Sequence, residues 1–144
     1  MSTVKFSVSA KSENSTKTVV TARDFKMIID EPANLGGTDE GANPAEFILA
    51  ALSGCINVVG HLVAKEMGFQ LNGMEVDVEG DLDPGKFSGQ STQGRAGYIE
   101  IRATVKPDTN ADKETLDKWL KAIEDRCPMS DNISNPTPVR LSIG

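Results

Sequence analysis

Asn43-Pro44-Ala45-Glu46-Phe47-Ile48-Leu49-Ala50-Ala51-Leu52-Ser53-Gly54-Cys55-Ile56-Asn57-Val58-Val59-Gly60-His61-Leu62-Val63-Ala64-Lys65-Glu66-Met67-Gly68 is the stretch whose reading decides the fold. Asn43 suits a helix cap, Pro44 the first helical position, and Glu46 the place from which a capping-box carboxylate reaches back to the cap. Lys65 and Glu66 charge the last turn, and Gly68 supplies the stop. Between these signals almost every face is apolar, which predicts a long helix buried on most sides. Its only polar track is Ser53, Asn57 and His61, one turn apart. Gly54 beside Cys55 leaves room for another backbone or a ligand to come close. A thiol in the middle of the most apolar helix is the feature that needs a reason.

Working outward, Val4, Phe6 and Val8 alternate with Lys5, Ser7 and Ser9, predicting a first strand that ends near Ala10. Thr18 to Ala22 and Phe25 to Ile29 predict a second and third strand joined at Arg23-Asp24, completing a three-stranded meander. Asp30-Glu31-Pro32 ends the third strand, and the glycine-rich segment from Ala33 to Ala42 is a loop into the helix. It carries neither a phosphate-loop Lys-Ser/Thr nor a dinucleotide glycine pattern. Beyond the helix, Met74, Val76 and Val78 alternate with Glu75, Asp77 and Glu79, a fourth strand with an acidic outer face. Gly80 to Gly97, with five glycines, is the long tip of a hairpin leading to a fifth strand through Ile99, Ile101, Ala103 and Val105. Pro107 to Ala111 is expected to break the sheet. Leu116, Trp119, Leu120 and Ile123 then have the spacing of an amphipathic helix ending at Arg126-Cys127. Pro128 opens a further helical turn with Cys127 at its cap, and Val139, Leu141 and Ile143 suggest a last strand. Hairpin-connected strands rather than strand-helix alternation predict an α+β fold, a mostly antiparallel sheet wrapped around one long buried helix.

The 144 residues suit a single domain with its own core. A net charge of −6 with scattered Lys and Arg excludes the clustered basic surface that nucleic acid requires. The opening Met-Ser-Thr-Val-Lys-Phe has no targeting pattern, so a cytoplasmic protein is expected. The polar residues and glycines of the long helix make it a poor membrane span. One histidine and two cysteines make a Cys/His metal site implausible, and no cofactor is expected. In a reducing compartment, Cys55 and Cys127 are either inert core thiols or reactive ones. A helix-centre thiol and a second thiol at a helix cap are what a peroxidatic and a resolving cysteine need, if the fold brings them together.

Asp30-Glu31-Pro32 with Gly36-Gly37, the run from Asn43 to Cys55, and Cys127-Pro128-Met129-Ser130 together resemble the OsmC/Ohr family of thiol-dependent peroxidases, in particular its shorter OsmC-like branch. The resemblance covers nearly the whole chain in order. It implies an OsmC-like fold, an intertwined homodimer with two central helices, and active sites at the subunit interface. It also implies Cys55 as the thiolate that attacks an organic hydroperoxide, Cys127 as the resolving thiol, and an external dithiol of lipoyl type as reductant. The family's peroxidases place a Glu directly after Asn-Pro to orient an Arg against the thiolate. Here that position is Ala45, and Glu46 lies about 100° round the helix. Arg23 is the candidate cation, because Arg-x-Phe precedes Asp-Glu-Pro as in the OsmC-like branch; Arg126 is a weaker one. Phe47, Leu52 or Ile56, with side chains of the partner subunit, are expected to line a pocket for an apolar tail. The alternative is a non-catalytic member that binds a small apolar ligand or senses redox state, which the loss of Glu at Ala45 favours.

Overall fold

A computed structural model describes residues 1–144, which pack as two compact units, residues 1–48 and 49–144. In the first, β1 (Ser9–Ser12), β2 (Thr18–Ala22) and β3 (Phe25–Ile29) form an antiparallel sheet in the order β1-β2-β3. Ala22 pairs with Phe25 across the two-residue turn Arg23-Asp24, and Val20 is the buried side chain of the middle strand. The meander is present, but its first strand is shifted. Val4, Phe6 and Val8 precede β1 and are exposed, since no strand partners them, and alternation without a partner leaves the backbone unpaired.

The segment after β3 is held by one carboxylate. Asp30 is fully buried and accepts hydrogen bonds from the Thr16 hydroxyl (2.8 Å), the Thr38 hydroxyl, and the backbone N–H groups of Glu31 (2.7 Å) and Glu40 (3.2 Å). Burial works to raise its pKa, but these donors outweigh it and hold the carboxyl well below the usual range. Gly37 is required here by close approach: a Cβ would stand 1.8 Å from the Glu31 carbonyl oxygen. The loop ends where Ile29 and Ala42 form a parallel bridge.

Helix α1 spans Pro44–Met67. Its start is a reciprocal capping box: the Asn43 side chain accepts from the Glu46 N–H (2.8 Å), and the Glu46 carboxylate accepts from the Asn43 N–H (3.0 Å). Gly68, at φ +79°, ends it. Its most apolar stretch reaches a mean hydropathy of 2.0, enough by length and composition to cross a membrane. In this fold Leu52, Ile56, Val59, Gly60, Val63 and Ala64 are buried, while Val58 (66% exposed) and Leu62 lie on an open face beside Ala51 and Gly54. The helix therefore buries one side, not most of its circumference. A Cβ on Gly54 would meet nothing within 4 Å, so that glycine receives no close approach from its own chain.

The second unit adds β4 (Gly73–Leu82) and β5 (Tyr98–Asp108), an antiparallel pair separate from the first sheet, then α2 (Lys113–Arg126) and α3 (Pro128–Ser134). Strands thus occur in two antiparallel sheets, and the class is α+β. Pro107 does not break β5; it pairs with Met74 at the end of a two-stranded ribbon, where a missing N–H can face away from the ladder. Asp112 caps α2 by accepting from the Thr115 N–H (2.8 Å). Val139, Leu141 and Ile143 form no strand and are exposed, again for want of a partner edge. The core comprises the buried side of α1 with Trp119, Ile123 and Cys127, Phe69 meeting Trp119 edge to face at 6.2 Å. Trp119 donates its indole N–H to the Gly60 carbonyl at 2.8 Å. A Cβ on Gly60 would stand 3.0 Å from Trp119 Cζ2 and 2.6 Å from Met74 Cε, so glycine is what lets the indole sit against the helix.

Candidate active site

Two cysteines far apart in sequence meet at the junction of α1 with the turn between α2 and α3. Cys55 lies on the half-buried flank of α1, next to the buried row that includes Leu52 and Ile56. Cys127 is the C-cap of α2 and the N-cap of α3, with Pro128 at the first helical position fixing the new helix direction. The Sγ atoms are 2.9 Å apart, and both cysteines are free thiols. Cys127 is 1% exposed and its sulfur accepts from the Ser130 N–H at 3.5 Å. The pair is therefore close enough for a disulfide to form with a small closing movement of the sulfurs.

Electrostatics at Cys55 are mixed. Burial and then the adjacent Cys127 sulfur push its thiol above the ordinary value, while the Met129 backbone N–H pulls in the opposite direction.

The other expected site residues have different partners. Arg23 occupies the β2–β3 turn in a left-handed conformation (φ 55°), its guanidinium 4.9 Å from the centre of the Phe25 ring. Glu46 is held in the capping box. Arg126, next to Cys127 in sequence, is paired with Glu66 on α1 through contacts of 2.5 and 3.1 Å. His61, nearly two turns beyond Cys55 and not an expected site residue, hydrogen-bonds the Asn57 carbonyl through Nδ1 at 2.9 Å, one turn back on its own helix. Leu52 and Ile56 do line a cavity, of about 230 Å³, together with Ile101 and Ala103 of β5, Ile123 of α2, and Cys127. The sequence pattern alone gives Asp30 no role beyond a strand stop, and its buried network is a finding of the structure. The signal for it lies in the threonines on both sides, Thr16 and Thr38, which can donate to a buried carboxylate.

Comparison with known proteins places the fold. A curated relative, an uncharacterised protein of Methanocaldococcus jannaschii, is 29% identical over 99 residues, 69% of this chain; the chain spans about half (48%) of that relative's length. Among solved structures, an OsmC-like protein from Mycoplasma pneumoniae superposes with a TM-score of 0.79 at 18% identity, covering 91% of this chain and 88% of the other. An organic hydroperoxide resistance protein from Vibrio cholerae, solved with captopril bound in one of its active sites, gives 0.67 at 19% identity over 92% and 87%. A Legionella pneumophila protein described as an organic hydroperoxide resistance protein OsmC also gives 0.67, at 16% identity over 92% and 91%. These similarities establish the fold. The model of the family described as OsmC-like protein matches residues 37–142, which include both cysteines, and the chain belongs to the OsmC family.

Proposed function

We propose that this protein is a thiol-dependent peroxidase that reduces organic hydroperoxides through Cys55 and Cys127. The observation that carries the reading is the 2.9 Å separation of two free thiols, one half-buried and one fully buried. In this chemistry the Cys55 thiolate attacks the terminal peroxide oxygen. An S–O bond forms, the O–O bond breaks, and the alkoxide takes a proton and leaves as the alcohol. Cys127 then attacks the Cys55 sulfenic acid; the S–S bond forms and water departs. An external dithiol returns both cysteines to thiols and leaves as its own disulfide.

Arg23 is the guanidinium this reading assigns to the reacting thiolate, and Glu46 contributes through the start of α1. The working form is a homodimer. The support is the open face of α1, where Val58 and Leu62 are exposed on a helix otherwise built for a core. The second reading, a redox sensor or ligand-binding protein without useful turnover, is favoured by two observations: burial raises the Cys55 thiol, and Arg126, next to Cys127 in sequence, is engaged with Glu66.

Consumption of cumene hydroperoxide, compared with hydrogen peroxide and with dihydrolipoamide as donor, separates the two. Sustained turnover that prefers the bulky peroxide supports the peroxidase. A single stoichiometric oxidation without turnover supports the sensor.

A further inference from the structure

We propose that a cleft at the opposite end of α2 from the thiols is a separate binding site, and that it takes the base of an uncharged nucleoside. The cleft measures about 450 Å³, within the range of about 300–1,000 Å³ usual for small-molecule sites. Phe69, Gln70 and Asn72 line it from the α1–β4 connection, and Thr109, Asn110 and Ala111 from the β5–α2 connection. Neither cysteine touches it. The 14 residues of α2, about 21 Å of helix, stand between it and Cys127. Binding there does not depend on the redox chemistry of the pair.

The two connections are stitched into one frame. The Asn72 N–H donates to the Asp108 carbonyl at 2.9 Å, and the Thr109 hydroxyl donates to the Gln70 carbonyl at 2.6 Å. Thr109 Oγ1 also accepts from the Ala111 N–H at 3.2 Å, so its hydroxyl belongs to the frame. Phe69 is half-buried and meets Trp119 edge to face at 6.2 Å. Such a pair covers at most one face of each ring, and Phe69 keeps a face on which a second flat ring can stack.

The amides select the ligand. Gln70 Nε2 donates to Asn72 Oδ1 at 3.1 Å, which orients both side chains. Gln70 Oε1 is left as an acceptor beside Asn72 Nδ2 as a donor, neither engaged by the protein, and the Asn110 amide is likewise without a protein partner. An acceptor beside a donor matches the edge of a nucleobase; adenine offers its N6–H next to N7, the edge that Asn and Gln read in nucleic acids. The Phe69 face adds the stacking that any base can use. A sugar ring has hydroxyls but neither a flat edge nor a π-face. No charged side chain lines the cleft, and exposed Asp108 and Asp112 flank its β5–α2 wall in sequence, so a phosphate attached to the base finds no cation and meets like charge.

Titration of the reduced, full-length protein with adenosine, followed by 15N–1H NMR, tests this. The expected result is saturable binding below about 10 mM, with the largest shifts in the side-chain amides of Gln70, Asn72 and Asn110. Adenosine monophosphate should bind several-fold more weakly, and methyl glucoside should leave these resonances unmoved. Asn72→Asp keeps the acceptor for Gln70 but turns the donor into a second acceptor, and should weaken adenosine by about tenfold while the backbone spectrum away from the cleft stays as in wild type. No saturable binding of adenosine, shifts centred elsewhere, a glucoside that binds as tightly, a monophosphate that binds no more weakly, or wild-type affinity in Asn72→Asp would each overturn the proposal.

Discussion

Trp119 donates its indole N–H to the carbonyl of Gly60, 2.8 Å away, and this buried bond fixes α2 against α1. Cys55 lies on α1 upstream of Gly60, and Cys127 ends the helix that carries Trp119. The contact is thus a clamp that holds both sulfurs within reach of each other. Gly60→Ala should force the indole outward and cost about 1–3 kcal/mol of stability. The Met74 methyl can swing aside; the Trp119 ring, locked by its own hydrogen bond, cannot. Chemical denaturation, with the rate of disulfide formation as a second readout, checks this, and both should fall together.

The open face of α1 makes its own prediction. If a second copy covers it, Val58→Glu places a carboxylate in an apolar contact and should shift the protein from dimer to monomer in light scattering. On a free surface the same change would alter stability by no more than about 0.5 kcal/mol and leave the mass unaltered. Val58 is 66% exposed in the single chain, so a disruptive effect cannot come from its own core.

Asp30 sets an acid limit for the residue 1–48 unit. Its carboxyl is held below the ordinary value in the folded state, while the unfolded chain has an ordinary aspartate at about 3.9. Stability from this network is therefore fully present above the unfolded value and is lost as pH falls through the folded one. Asp30→Asn should lower stability at neutral pH and flatten the acid side of the unfolding profile. The loop from Glu31 to Ala42 should become more susceptible to limited proteolysis, because the Thr38 hydroxyl and the Glu40 N–H lose their charged acceptor.

Much of this is legible in sequence where local chemistry is self-contained. The α1 capping box, the Gly68 stop, β2, β3 and the α2–α3 break at Cys127-Pro128 depend on residues within a few positions of one another. Strands expected at Val4–Val8 and Val139–Ile143 do not form, because alternation reports a two-sided environment and nothing reports the partner edge. The thiol pair is foreshadowed by its motifs. Its 2.9 Å contact depends on Trp119 meeting Gly60, a long-range packing event that no local pattern encodes. Asp30 is illegible for the same reason: its donors come from three separate segments.

The raised Cys55 thiol has a kinetic consequence. Burial is the larger cause, so in a Cys127→Ser background the alkylation rate of Cys55 should still rise with pH through a midpoint at or above that of a free thiol, about 8.5. The thiolate fraction is then smaller than for an ordinary thiol, each tenfold loss of thiolate amounting to about 1.4 kcal/mol. Ala45→Glu, which places a carboxylate where the sequence resemblance implies one, should lower the midpoint if Arg23 is brought to the thiolate. An unchanged midpoint would argue that no arginine is poised there and would favour the sensor reading.

The central claim is that Cys55 and Cys127 form a redox pair that takes oxygen from an organic hydroperoxide, and one equivalent of cumene hydroperoxide added to the reduced protein tests it most directly. Intact mass and peptide mapping should show loss of two hydrogens and a Cys55–Cys127 link within one chain, and Cys127→Ser should instead accumulate sulfenic acid on Cys55, going on to sulfinic acid only when a second equivalent of peroxide is added. Closing the 72-residue separation should also raise stability by about 4 kcal/mol, less any native strain. An unreacted protein, or wild type oxidised to sulfinic acid on Cys55 without the link, would contradict the account.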